Sequence, residues 1–354
     1  MAQPITVLIV DDSALIRQMF SEMLSGEPDI KVLDTASDPF DAREKIKRLN
    51  PDVLTLDIEM PKMDGLSFLE KIMTLRPMPV IMASTLTQKG GEATIRALEI
   101  GAFDYVSKPV SNHTRDTIGS LKEELVAKVR AAAKANMTQR SATRHISSGP
   151  LVVPYHPPGG RSKHIIAIGA STGGVEALRE VFLRLPGNVP PIVITQHMPE
   201  TFTKSFAARL DALSQVKVQE ATNHARLKEG HAYIAPGGAC HMKIVKVGAE
   251  LVCKLEEGPP VSSHRPSVDV LFHSVADSVG SRAVGVILTG MGRDGADGMK
   301  AMRDRGAYNV GQNQASCVVY GMPQMAMKAG AVNVELSLAD IPSTVLRYCE
   351  RNGI

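Results

Sequence analysis

Ser171 stands where a parallel-sheet protein can use a serine. It lies in Gly169-Ala170-Ser171-Thr172-Gly173-Gly174, just after the apolar run His164 to Ile168 and just before an amphipathic pattern, Val175 to Leu185. A strand, a glycine turn and a helix put its hydroxyl at the carboxyl end of a buried strand, with small neighbours and unbonded helix N–H groups beside it. Three chemistries fit: a hydroxyl that caps the helix, a dinucleotide cradle, and a nucleophile. The dinucleotide reading requires an acid after the next strand to hold a ribose. The run Pro191 to Thr195 instead ends in Gln196-His197-Met198-Pro199. Consecutive parallel strands tend to be neighbours, so His197 is expected at the same sheet edge as Ser171, in reach as a general base. A carboxylate to orient the imidazole is expected from the glycine-rich loop Gly290 to Gly298, which follows the run Val284 to Thr289. Asp294 is preferred to Asp297, which falls where a helix has begun and faces solvent. N–H groups of such a loop can also point at a developing oxyanion. His264, in a polar loop before a helix, is the other histidine that could line a cleft.

A second cluster lies far upstream. Asp11-Asp12, Asp57 and Lys108-Pro109 each follow an apolar run, and Ser84-Thr85 closes another. Three carboxylates at one sheet edge repel one another, and a hard divalent cation such as Mg²⁺ relieves the repulsion. A lysine nearby can neutralise a phosphoryl group, and a hydroxyl can donate to its oxygens.

The elements that must carry these groups alternate. Strand-like runs at Ile5 to Val10, Ile30 to Leu33, Val53 to Leu56, Val80 to Ser84 and Phe103 to Val106 are separated by helical patterns at Ala14 to Leu24, Pro39 to Leu49, Gly65 to Leu75 and Gly91 to Glu99. Beyond residue 163, strands are expected at Ile192 to Thr195, Val216 to Gln219, Ala232 to Ala235, Val284 to Thr289 and Ala307 to Gly311, with helices at Phe202 to Leu213, Val268 to Val279 and Ala296 to Arg305. Met242 to Val247 and Leu251 to Leu255 read as a hairpin around Gly248-Ala249-Glu250. The fold class is therefore α/β, with two doubly wound parallel sheets and a local antiparallel hairpin.

The net charge of +3 over 354 residues hides an asymmetry. Residues 122 to 163 hold eight Lys/Arg against two Glu, a net +6, which leaves the remainder at −3. This segment begins helical at Leu121 to Met137 and then turns to Ser, Pro and Gly, so it reads as a flexible basic linker at 123–162 between domains at 1–122 and 163–354. The charge balance and the lack of a helix-turn-helix or zinc-finger pattern argue against a nucleic-acid partner. No run approaches the ~20 apolar residues of a membrane span, and no signal-peptide pattern opens the chain. Cys240, Cys253, Cys317 and Cys349 form no Cys-x-x-Cys pair and read as free thiols in a reducing cytoplasm.

Two resemblances build on these residues. Val10-Asp11-Asp12-Ser13, Leu56-Asp57-Ile58-Glu59-Met60-Pro61 and Tyr105-Val106-Ser107-Lys108-Pro109 closely resemble a response-regulator receiver domain. That resemblance implies that Asp57 accepts a phosphoryl group from a sensor kinase, and that Asp12, Asp57 and the Glu59 backbone carbonyl bind Mg²⁺ with Asp11 assisting. It also implies that Ser84 is the switch hydroxyl, with Thr85 beside it, that Lys108 belongs to the same site, and that Tyr105 is the aromatic whose position reports phosphorylation. In the second half, Gly169 to Gly174, Gln196 to Pro199, Ala232 to Gly238, Ser263 to Asp269, Leu288 to Ala296 and Tyr320-Gly321-Met322-Pro323 together resemble the CheB family of chemotaxis protein-glutamate methylesterases. The chain order Ser…His…Asp fits that family and departs from the Ser…Asp…His of α/β hydrolases, although Gly169 to Gly173 satisfies their Gly-x-Ser-x-Gly motif.

The second resemblance implies hydrolysis of glutamate methyl esters on chemoreceptors to glutamate and methanol, with glutamine deamidation in many members. Ser171 is then nucleophile, His197 base and acid, Asp294 its partner and the Met291 N–H an oxyanion donor, with Thr172 and Arg265 flanking the cleft and no cofactor for the hydrolysis. The histidine kinase CheA is the implied phosphodonor, and phosphorylation of Asp57 the implied activator. A receiver joined to a nonenzymatic interaction module, or to a dinucleotide enzyme, remains the alternative at this point.

Overall fold

The computed structural model describes residues 3–61, 63–109, 115–135, 152–157 and 164–352. The chain divides into two compact units, Met1–Ser147 and Ser148–Ile354. Most of the expected linker, 136–151 and 158–162, lies outside the described residues.

The first unit alternates β1 (Ile5–Val10), α1 (Ala14–Ser25), β2 (Ile30–Ala36), α2 (Pro39–Leu49), β3 (Val53–Asp57), α3 (Gly65–Leu75), β4 (Val80–Ser84), α4 (Gln88–Ile100), β5 (Asp104–Ser107) and α5 (Arg115–Ala133). The strands form one parallel sheet in the order β2-β1-β3-β4-β5. β3 and β4 are buried along their whole length, as strands covered by helices on both faces must be. The strand order reverses between β1 and β3, which opens a crevice where their carboxyl ends diverge. Polar side chains start the helices: Ser13, Asp38, Asp64 and Thr87 each accept from a first-turn amide. Only the start of the basic segment, expected to be helical from Leu121, belongs to α5, whose Leu121, Leu125, Val129 and Ala132 recur at helical spacing and are buried, so that residues 123–133 of the expected linker pack as part of the first unit.

The second unit contains β6 (Ile165–Ala170), α6 (Gly174–Phe182), β7 (Ile192–Gln196), α7 (Glu200–Leu213), β8 (Lys217–Glu220), β9 (His231–Ile234), β10 (Cys240–Val247), β11 (Glu250–Glu257), α8 (Val268–Ser278), β12 (Ala283–Ile287), α9 (Ala296–Asp304), β13 (Tyr308–Gln312), α10 (Met322–Lys328), β14 (Val334–Leu336) and α11 (Ile341–Arg351). Seven strands run parallel in the order β14-β13-β12-β6-β7-β9-β8, while β10 and β11 form a separate antiparallel hairpin. The central strand β6 pairs with β12 through Ile287↔Gly169 and with β7 through Gly169↔Thr195. Three neighbouring strands thus end together, and the chain leaves β6 in opposite directions along the sheet, the arrangement that creates a ligand crevice. Helix α8 packs against this edge so closely that a Cβ on Gly169 would stand 2.3 Å from Val268 Cγ1. A glycine at position 169 is therefore what lets α8 begin beside the serine turn. Leu271, Phe272 and Val275 on α8 are fully buried in the same core, which anchors the helix by its apolar face.

Candidate active site

Ser171 is half-buried one residue past β6. Its amide donates to the Thr289 carbonyl at 3.1 Å, and its carbonyl accepts from the Gly174 amide at 2.7 Å and from Gln196 Nε2 at 3.0 Å. The turn is thereby tied to the loops after both neighbouring strands. Gly290 crosses directly beside it, since a Cβ there would lie 2.8 Å from Ser171 Cβ. Both polar backbone groups of Gly290 are occupied, by the Val319 carbonyl and by the Gly321 and Met322 amides. The next amide, Met291 N–H, has no protein acceptor among the described residues.

His197 follows β7 and is anchored by its amide to the Ala170 carbonyl at 3.1 Å. Its Nε2 lies 2.7 Å from Asp294 Oδ2, and its buried Nδ1 has no hydrogen-bond partner among the described residues. Asp294 is 1% exposed and saturated with donors. Oδ1 accepts from Ser267 Oγ at 2.7 Å and the Asp269 amide at 3.0 Å, while Oδ2 also accepts from the Val268 amide at 2.7 Å. The carboxylate thus sits at the N-terminus of α8, where unpaired N–H groups favour negative charge. Burial, the largest influence, pushes Asp294 up, but His197, the Asp269 amide and the Ser267 hydroxyl outweigh it and hold the carboxyl below its ordinary range. Asp269 returns the favour to α9, its Oδ1 accepting from the Gly298 amide at 2.7 Å. Burial pushes Asp269 above its ordinary range, with the Gly298 amide offsetting only part of the effect.

The flanking residues also have places. Asp297 is exposed on α9 and pairs with Arg293 at 2.8 Å, away from His197's carboxylate partner. Thr172 is buried, its carbonyl accepting from Thr289 Oγ1 at 3.0 Å. His264 stacks on His197, and Arg265 is exposed with its guanidinium on two loop carbonyls. Ser267 and Asp269, as the supports of Asp294, carry no role in the sequence reading. The available signal is an N-cap pattern, a serine just before the apolar spacing of α8, although nothing local indicates that the capped helix also holds a carboxylate from residue 294.

In the first unit, the crevice at β1 and β3 holds the acidic cluster. Lys108 Nζ bridges Asp11 Oδ2 at 2.8 Å and Asp57 Oδ2 at 2.7 Å. Asp57 Oδ1 accepts from the Glu59 amide at 3.1 Å, and Asp11 Oδ1 from the Ser13 amide at 2.9 Å. Asp12 is exposed at the rim, and Asp11, Asp12 and Asp57 bring a carboxylate oxygen each within 4.8 Å of one another. Burial, reinforced by the Asp11 charge and opposed by Lys108, pushes Asp57 up to about 6. One ammonium therefore does not fully compensate these acids, and a hard, oxygen-rich donor set of this kind fits Mg²⁺. Ser84 Oγ lies in a buried chain, accepting from Thr94 Oγ1 at 2.7 Å and donating to the Gly90 carbonyl at 3.2 Å. Tyr105 is buried, with Lys128 Nζ 4.9 Å from its ring centroid and bonded to its carbonyl at 2.5 Å.

A raised carboxyl favours the folded, protonated form at low pH. For Asp57 that advantage is full below about 4 and is lost as pH rises through about 6. In magnesium-free buffer, Asp57→Asn is expected to stabilise the first unit against urea by about 1 to 3 kcal/mol at pH 7.5, with the gap closing at pH 4. Added Mg²⁺ is expected to narrow the gap by stabilising the wild type.

Comparison with known proteins finds a match for each unit. The family described as CheB methylesterase matches residues 166–345, and the response regulator receiver domain matches residues 7–116. A protein-glutamate methylesterase/protein-glutamine glutaminase of Methylobacillus flagellatus is 51% identical over 99% of this chain and 98% of its own. Another, from Caulobacter vibrioides, is 55% identical over 97% of each. The crystal structure of the Thermotoga maritima CheB methylesterase catalytic domain superposes with a TM-score of 0.51 at 36% identity, covering 52% of this chain and 98% of that one. With a receiver sheet ahead of a seven-stranded sheet of the matched kind, and identity above one half along nearly its full length, the chain belongs to the CheB methylesterase family.

Proposed function

We propose that the second unit hydrolyses glutamate methyl esters on chemoreceptors, releasing methanol, and also deamidates receptor glutamines, under control of phosphorylation at Asp57. The observation that carries the reading is the His197–Asp294 contact of 2.7 Å on the edge where Ser171 emerges. Ser171 Oγ attacks the ester carbonyl carbon, and its proton passes to His197 Nδ1, the nitrogen that Asp294 leaves unoccupied. Asp294 stabilises the resulting imidazolium, and the Met291 N–H receives the developing oxyanion. His197 then returns the proton to the departing methoxide, which leaves as methanol. Water, deprotonated by His197, cleaves the acyl–Ser171 bond to give glutamate and restores the serine. With a glutamine side chain the leaving group is ammonia.

In the receiver, Asp57 is the phosphoryl acceptor, with the histidine kinase CheA as donor. Asp11, Asp12, Asp57 and the Glu59 carbonyl are the residues that would hold Mg²⁺, which when bound screens the charge of the carboxylates and the phosphoryl group. Lys108 contributes its ammonium, Ser84 turns its hydroxyl toward the phosphoryl oxygens, and Tyr105 follows the change. The proposed receiver, basic linker and catalytic domain, at 1–122, 123–162 and 163–354 with the linker's first residues forming the end of α5, make up a cytoplasmic protein without nucleic-acid or membrane partners. Among the described residues no helix is long and apolar enough to cross a membrane.

Methanol release from a methyl-esterified chemoreceptor, with and without acetyl phosphate and Mg²⁺, tests both halves. A rise of about 5- to 150-fold with the phosphodonor is expected, the range of an ordinary allosteric coupling. Equal rates would reject the regulation, and no methanol under either condition would reject the enzyme.

A further inference from the structure

The hydrogen bond to Asp294 fixes one point of the His197 ring but not its plane. Rotation about the Nε2···Oδ2 line would swing Nδ1 while leaving the bond intact. The ring of His264 supplies the missing constraint: its centroid lies 3.7 Å from that of His197, with 9° between the planes. The loop is built to keep it there. Val261 and His264 exchange both backbone hydrogen bonds, at 3.0 and 2.9 Å, around Ser262 and Ser263. Both serines have positive φ, 51° and 65°, so a strained primed turn is held at two residues other than glycine.

The His264 Nδ1 donates to the Ser262 carbonyl at 2.6 Å, which ties the ring to its own turn. The adjoining Arg265 side chain ties the loop to the Gly238 carbonyl at 2.5 Å and the Gly258 carbonyl at 2.8 Å. On the other side, the Ser267 amide donates to His241 Nδ1 at 3.1 Å, and its hydroxyl holds Asp294. His197, His264 and Asp294 also bring one ligand atom each within 4.8 Å of one another. Stacked rings, however, confine their in-plane lone pairs to two separate, nearly parallel planes that do not meet at one point, which does not suit a metal ion.

We propose that His264 is a positioning residue for the esterase, a flat lid that fixes the plane of the His197 ring and so aims Nδ1 at Ser171. The proposal rests on the assignment of Ser171 and His197 as nucleophile and base. A base rotated off line loses rate in the chemical step rather than substrate binding.

The test uses the full chain activated with acetyl phosphate, methanol release from methyl-esterified receptor, and labelling of Ser171 by a fluorophosphonate. His264→Ala is expected to lower kcat by about 10- to 100-fold with KM within about twofold, and to slow labelling by a similar factor. His264→Phe, which keeps a stackable ring without the nitrogens, is expected to recover kcat to within a few-fold of wild type. Circular dichroism melting identifies any variant that fails to fold, in which case the folded member of the pair decides. Wild-type kcat in His264→Ala, a rise in KM alone, or a folded His264→Phe as slow as His264→Ala would overturn the positioning role. Failure of the underlying reading looks different, because the wild type itself would then take no label at Ser171.

Discussion

Replacing Ser171 by alanine is expected to remove nearly all turnover, on the order of 10⁴- to 10⁶-fold in kcat, while acetyl phosphate still phosphorylates Asp57. The loss is large because no neighbour can stand in for the hydroxyl. Thr172 is buried, and its carbonyl is held by the Thr289 hydroxyl. The Cys317 thiol is pushed up to about 12 by burial and stays protonated. Stability is expected to change little, since Ser171 is held through its backbone amide and carbonyl, which alanine keeps. Methanol release and phosphate incorporation, measured on the same preparation, check the result. Retained turnover would reject the assigned nucleophile.

Asp294→Asn is expected to cost about 10³- to 10⁴-fold in kcat and, unlike the serine change, about 2 to 4 kcal/mol of stability. The wild-type carboxylate offers two oxygens to four donors: the Ser267 hydroxyl, the Val268 and Asp269 amides and His197. An amide has one oxygen and two hydrogens of its own. Whichever way it turns, it sets N–H against the start of α8 or against His197, and in the second case it forces the wrong tautomer on the base. Urea titration and kinetics of Asp294→Asn, beside Ser267→Ala, separate the two losses. Ser267→Ala removes the bond to Asp294 and the cap accepted from the Val270 amide, and is expected to cost about 1 to 2 kcal/mol with a smaller drop in kcat. Equal stability of Asp294→Asn and wild type would contradict the cradle described at α8.

Much of the receiver was legible because its strands are continuous apolar runs that stop at charged residues. Ile5–Val10 and Val80–Ser84 have in the structure the bounds the sequence predicts. Helix α4 starts at Gln88 rather than Gly91, since Thr87 caps it by accepting from the Gly90 amide, and two glycines in the first turn hide the pattern. In the second unit α10, β14 and α11 went unread. The first two are seven and three residues long, too short for a periodicity to register. For the site, the residues at strand ends could be picked out one by one, because a serine, histidine or acid after an apolar run is a local feature. Their supports could not. Ser267 reaches Asp294 across 27 positions, and the His197–His264 stack joins two loops on different sides of the hairpin, which no local spacing encodes.

The mutual capping of two helices sets the size of the portable unit. Asp294 precedes α9 yet binds the first turn of α8, and Asp269, in that first turn, binds the start of α9. A designer wishing to transplant this chemistry onto another parallel sheet could not graft three side chains and expect the histidine to be oriented. The graft would have to carry both helix starts, the Ser262–Ser267 loop and a central-strand glycine that admits Val268. What can be moved is a joint between two helices, with the serine as its external partner.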